Sequence, residues 1–334
     1  MWSRTRIVLI VAVVSLMAFL STALAQRTRV TPTIRRPVLT VAPTPAVQPR
    51  ALYFSTEEDF ITRGSTPSDG NRIVSDGDLL TATGQVFRRN SELLLAFGLR
   101  DDLGLDAADV VWLDTDARRS QIAFSTELDD PEGRFTAGDL LTTDGGVLPN
   151  AALLAAFNLP TKVDLGLDAV HFIGRPDVIR RFLGEIKSRG HGYWMENPSG
   201  LAERLRALKI DIWFSTEGTA PTVKAPKFID GDLLAATGSI IARNGVLLPN
   251  TVPAGIPDRG VDFGLDAVLS DRSGKREPIV YSTEILYTGQ VNFTDGDVLR
   301  INNGVLVRNP DLVRPFKPKA SFLGLDALSI KPQK

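Results

Sequence analysis

The chain has 334 residues, with 38 Lys and Arg against 39 Asp and Glu, a balance that argues against a nucleic-acid partner, which needs a basic surface. Hydrophobic residues make up 43%, the ordinary share of a globular protein. There is no cysteine, which excludes both disulfides and a cysteine-borne lipid anchor, so the core or bound ions must hold the fold.

Taken in order, the N-terminus reads as an export signal. Arg4 and Arg6 precede an apolar run from Ile7 to Leu20, and Ala23-Leu24-Ala25 supplies a cleavage site. An uncleaved anchor is the alternative, but the apolar run is short of the ~20 residues that a spanning helix needs. This reading makes the protein periplasmic or extracellular, with no membrane attachment after signal cleavage. Residues 26–50 are rich in Pro and Thr, and Pro32, Pro37, Pro43, Pro45 and Pro49 predict an extended tether rather than a helix or central strand.

From Ala51 to Ile330 one unit is written four times. It reads IAFSTE, then AGDLLTTDGGVLPN, then LGLDAV in its second copy. Each unit offers four short strand candidates. The first follows GLDA, the second ends in STE, and the third and fourth flank a turn: TG, DG, TG or NN. Such pairs between apolar runs predict two-residue hairpins, since primed turns need positive φ. The second strand is apolar on both parities (Ile212, Trp213, Phe214), as in a sheet buried on both faces. After the fourth strand come Asn90, Asn150, Asn244 and Asn309, which are expected to cap a short helix in every unit but the third, where Pro249, Pro253 and Pro257 intervene.

One copy is interrupted. Between Asp168 and Glu217 the chain carries roughly thirty extra residues, about 174–209. Val178, Ile179, Phe182, Leu183 and Ile186 recur with helical period, as do Leu201, Leu205 and Leu208. Two amphipathic helices joined by the loop RGHGYWMENPSG are predicted. His191, Tyr193 and Trp194 on that loop are candidate partner-binding residues, because exposed aromatics beside Arg are typical of binding patches. The alternative is that the helices fold back and bury the aromatics.

The repeat predicts an all-β, four-bladed β-propeller of four-stranded antiparallel sheets. The chain opens on a second strand and closes on a first, so its two ends complete one sheet and remove the exposed edges. Asp106-Ala107, Asp168-Ala169, Asp266-Ala267 and Asp326-Ala327 open the four first strands. In this the layout resembles the haemopexin-like four-bladed propellers, where an Asp-Ala pair opens the innermost strand of each blade and a short helix trails the outermost. The FSTE–GDLL–GLDA unit is also similar to repeats of exported bacterial proteins, a likeness that implies no activity.

Strand polarity brings the acidic motifs to one rim, since GLDA opens the first strand, STE ends the second and DGD opens the third. The candidate metal ligands are Glu57, Asp78 and Asp106; Glu127, Asp139 and Asp168; Glu217, Asp232 and Asp266; Glu284, Asp297 and Asp326. Asp76, Asp230 and Asp295 add a further acid in three units. Such clusters, with hydroxyls such as Ser55 and Thr56, suit calcium, a hard cation taking six to eight oxygens. Two carboxylates ~8 Å apart repel by about 2 kcal/mol at an effective dielectric of ~20. The competing expectation is that each Asp caps a turn by accepting backbone amides.

An enzyme is the weaker reading. His171 and His191 are the only imidazoles, His171 sits in the apolar run VHFI as a core residue, and no Ser-His-Asp arrangement is visible. Four near-equivalent acidic copies point to a need shared by every blade. The expectation is a secreted, monomeric, non-enzymatic binding or structural module, with a protein or glycan as its ligand. Its alternative is a secreted hydrolase using rim carboxylates.

Overall fold

A computed structural model describes residues 51–161, 163–221, 225–276 and 278–332; the signal and tether assigned above lie outside the described residues. The fold is mostly β, with four four-stranded antiparallel sheets, one two-stranded hairpin (Phe60–Ile61 with Ile73–Val74) and few helices. The first sheet takes Leu328–Ile330 from the C-terminal end, then Leu52–Phe54, Leu79–Thr81 and Gln85–Arg88. Its two terminal strands pair antiparallel, Leu52 with Ile330 and Phe54 with Leu328. The second sheet is Ala108–Trp112, Gln121–Phe124, Leu140–Thr142 and Val147–Leu148. The third is Val170–Ile173, Asp211–Phe214, Leu233–Ala235 and Ser239–Ala242, and the fourth is Val268–Leu269, Val280–Tyr281, Val298–Arg300 and Gly304–Val307.

Each sheet buries both faces, as the doubly apolar second strands require. Tyr53, Leu79, Val110 and Phe124 pack the first sheet on the second, and Leu140, Phe172 and Phe214 the second on the third. Trp213, Leu233 and Tyr281 join the third to the fourth, and Phe54, Leu80 and Val280 the fourth to the first. The four first strands neighbour one another in the same cyclic order.

Local details differ from expectation in three places. The hairpin loops hold three residues rather than two in the first, third and fourth sheets, where Thr81 pairs with Gln85, Ala235 with Ser239 and Arg300 with Gly304. The positive φ closes the loop at Gly84 (+88°) and Gly238 (+98°), the geometry of a turn ended by a left-handed residue, and falls at the middle residue Asn302 (+57°) in the fourth sheet. The third unit does form a helical turn, Asn244–Leu247, because its prolines begin only at Pro249. The asparagines are the first residues of these helices and not side-chain caps.

The insertion forms two helical segments, Pro176–Glu196 and Gly200–Leu208. Gly190 (φ 75°, ψ 164°) breaks the first of them, after which the helix resumes through Tyr193 and Trp194, so most of the predicted loop is helical. The insertion is part of the core. Ile179, Phe182, Ile186, Leu201 and Leu205 are fully buried and belong to the apolar layer between the second and third sheets. No helix among the described residues is long and apolar enough to cross a membrane.

Candidate functional site

Each GLDA motif places its aspartate through its glycine. Gly104, Gly166 and Gly264 have φ between +66° and +75°, and a Cβ at any of them would overlap the carboxyl of Glu127, Glu217 or Glu284; Gly324 abuts Glu57 in the same way. Only glycine allows both the left-handed turn and this approach. The chain then enters the first strand with Asp106, Asp168, Asp266 and Asp326 buried, at 8, 5, 4 and 8% exposure.

These four aspartates and the four STE glutamates form one acidic centre. Asp168, Asp266 and Glu284 each offer an oxygen within 4.8 Å of the others. Asp106 meets Glu217 carboxyl to carboxyl, and Asp168 meets Glu284 in the same way, each pair linking adjacent sheets. Burial, and after it the neighbouring carboxylates, raise the four aspartates well above the ordinary range. The same causes in the same order lift Glu57, Glu127 and Glu284 to about 7. Among the described residues, the charged neighbours that shift these eight groups most are carboxylates. One oxygen of each aspartate, Oδ2 of Asp106, Asp168, Asp266 and Asp326, is buried without a hydrogen-bond partner. Buried polar atoms are rarely left so.

The sign of the pH dependence follows. Between about pH 4 and 8 the folded state keeps protons that the unfolded chain has released, so stability falls as pH rises through this window. Chelator-treated protein is expected to melt several degrees higher at about pH 5 than at about pH 8. A flat or rising profile would show that the carboxyls are not crowded in the folded state.

The DGD aspartates are placed differently. Oδ1 of Asp78, Asp139, Asp232 and Asp297 accepts the amide of the following asparagine at 2.7–3.1 Å. Oδ2 accepts the amide three residues earlier at 3.0–3.3 Å. Arg89, Arg243 and Arg308 then pair with three of them. In the second sheet Pro149 stands where the others have that arginine, and His191 of the insertion approaches Asp139 at 3.7 Å instead. These four are turn clamps, with both oxygens engaged, and they do not join the acidic centre.

The hydroxyls considered above are also committed. Thr56, Thr126, Thr216 and Thr283 donate to the carbonyl two residues on. Ser55, Ser125, Ser215 and Ser282 donate to Leu105, Leu167, Leu265 and Leu325 at 3.3, 2.6, 2.5 and 3.2 Å. Each of these serine bonds runs from one sheet to the GLDA turn of the next.

Three features escaped the sequence reading. Asn90, Asn150 and Asn309 are buried; each amide nitrogen donates to the DGD turn and to the next GLDA loop, and each carbonyl accepts from that loop. Asp102, Asp164 and Asp262, four residues before each GLDA aspartate, cap the motif glycine at 3.0–3.4 Å. The fourth unit has Phe322 there, and Glu58 caps Gly324 instead. The third feature is Asp109, fully buried three residues beyond Asp106. It pairs with Arg272 at 2.5 Å, accepts from Ser329 and the Phe172 amide, and lies 3.4 Å from Nδ1 of His171. His171 is a core residue, and its Nε2 accepts from the Ser270 amide. Burial raises the Asp109 carboxyl, but Arg272 and then His171 outweigh it and hold it far below the usual range.

On the insertion, Tyr193 is 37% exposed and His191 is partly so, whereas Trp194 is buried against Phe182 and is not available to a partner. No family model, curated protein or solved structure matches this chain.

Proposed function

We propose that the chain is an exported, non-enzymatic binding module: a closed four-bladed propeller that holds calcium where its four inner strands begin. Cyclic packing of the first strands, four apolar layers and the four serine–leucine bonds support closure. The Asp-Ala pairs at the inner strands and the short trailing helices fit the haemopexin-like layout.

The observation that carries the ion is the set of four unpartnered carboxylate oxygens buried at one centre. A donor set of carboxylates alone is hard and suits a cation of calcium's class, and among the described residues no basic side chain stands among the main charged neighbours of these groups. Asp106, Asp168, Asp266 and Asp326 would hold the ion, with the STE glutamates closing over it, and the DGD aspartates take no part. Its role is structural, tying the blades together. Repetition of the acids in every blade supports this role over hydrolysis.

Exported modules hold calcium with dissociation constants of ~0.1–1 mM. At ten times that constant one site adds about 1.4 kcal/mol. Millimolar calcium is therefore expected to raise the melting temperature by several degrees over chelator. Asp168→Asn should remove most of that gain while leaving metal-free stability unchanged or higher, because it relieves repulsion. Superimposable melting curves with calcium and with chelator would overturn the proposal.

A further inference from the structure

We infer that the same acidic mouth is a docking site for a protein segment that carries Lys or Arg beside aliphatic residues. The inference rests on the mouth described above, not on the identity of the ion inside it.

The centre gathers eight carboxyl groups, and among the described residues a second tier of acids surrounds them. Asp59, Asp76 and Asp102 act on Glu127, and Asp129 and Asp164 on Glu217. Asp230 acts on Glu284, and Asp295 with Glu58 on Glu57. The STE glutamates are solvent-exposed, so the acidic mouth faces outward. The four unpartnered aspartate oxygens beneath them mark the centre as built for a positive group. Anionic lipid and nucleic acid are repelled by this surface, and a neutral glycan does not offset it.

The mouth also carries apolar tips. Leu128 directly follows Glu127, and Ile285 and Leu286 follow Glu284, with exposures of 57, 45 and 48%. Their backbones bond to the GLDA loops, Leu128 to Leu103 and Ile285 to Phe263, which keeps them beside the acids. Among the described residues, two of the loops joining second to third strands therefore present aliphatic side chains beside the acidic centre. Long cationic side chains reaching the acids, with aliphatic neighbours on the tips, complement both features.

The test uses two short fluorescent peptides, one alternating Arg with Leu and one alternating Arg with Ser, titrated at physiological salt with calcium present. The Arg–Leu peptide is expected to bind about tenfold tighter, the scale of burying an aliphatic side chain. Leu128→Ser with Ile285→Ser should erase that margin without moving the melting temperature. Equal binding of the two peptides, an undiminished margin in the variant, or preferential binding to phosphatidylglycerol vesicles would overturn the inference. Calcium-dependent melting of the same samples separates the two readings. A calcium shift without peptide preference sinks the docking site alone, and peptide preference without a calcium shift sinks the ion alone.

Discussion

Ending the chain at Leu325 is expected to abolish cooperative folding of the whole β domain rather than to fray one end. The strand Leu328–Ile330 lies between the N-terminal strand and the neighbouring first strands, and Ala327 and Leu328 are 1% exposed. Ser329 accepts the Val110 amide and donates to Asp109, so its loss also leaves a buried carboxylate short of a donor. Removing one such buried leucine costs ~3–5 kcal/mol, and stripping a buried charge of its donor adds ~1–3 kcal/mol. The sum rivals the whole stability of an ordinary domain. The Leu52–Phe54 strand would in addition become an open edge, prone to pairing with other copies. Circular-dichroism melting of the truncated and full-length proteins decides the matter. A truncated chain that melts cooperatively within a few degrees of the full one would mean that the C-terminal strand is dispensable.

The second large effect is expected at Arg272. Arg272→Met leaves Asp109 buried without its counter-charge, which should cost about 3–5 kcal/mol and lower the melting temperature by on the order of ten degrees. The pH profile should change as well. In the native protein the depressed carboxyl contributes stability that is present above the unfolded value near 4 and is lost as pH falls towards the folded one. Without the guanidinium, burial dominates and the dependence reverses, with stability falling as pH rises above about 4. Adding Asp109→Asn to Arg272→Met should recover much of the loss, because no charge then remains buried. If the single variant is as stable as the parent at neutral pH, the pair is ornamental.

Much of this architecture is legible in the sequence because its determinants are local. Alternating apolar residues, turn residues between them and a unit written four times define strands, hairpins and their order. The cut of the repeat, opening on a second strand and ending on a first, matches the pairing of Leu52 with Ile330. Strand polarity also predicts that GLDA, STE and DGD share one end. What polarity cannot predict is which carboxylate oxygens find donors. The DGD aspartates meet backbone amides and arginines and become clamps, whereas the GLDA aspartates meet one another. That outcome depends on ångström-scale positions set by Asn90 and its counterparts, whose bonds span two motifs distant in the chain.

The insertion shows the same limit. Helical period reveals which of its residues face a core, but Gly190 reads equally well as a loop residue or as a break within a helix. Arg272 was invisible for a different reason. It has no repeat counterpart, and its partner Asp109 lies in another unit.

The pairing of Leu52 with Ile330 has a consequence for how the protein is made. Among the described strands, Leu52–Phe54 meets one neighbour, Leu79–Thr81, early, but its other neighbour only when Leu328–Ile330 has been delivered, so this pairing spans the most chain of any in the sheets. Until then that strand presents one unpaired backbone edge and three residues, Leu52, Tyr53 and Phe54, that the finished fold buries. Nascent chains of this design stay vulnerable to aggregation for the whole of their synthesis.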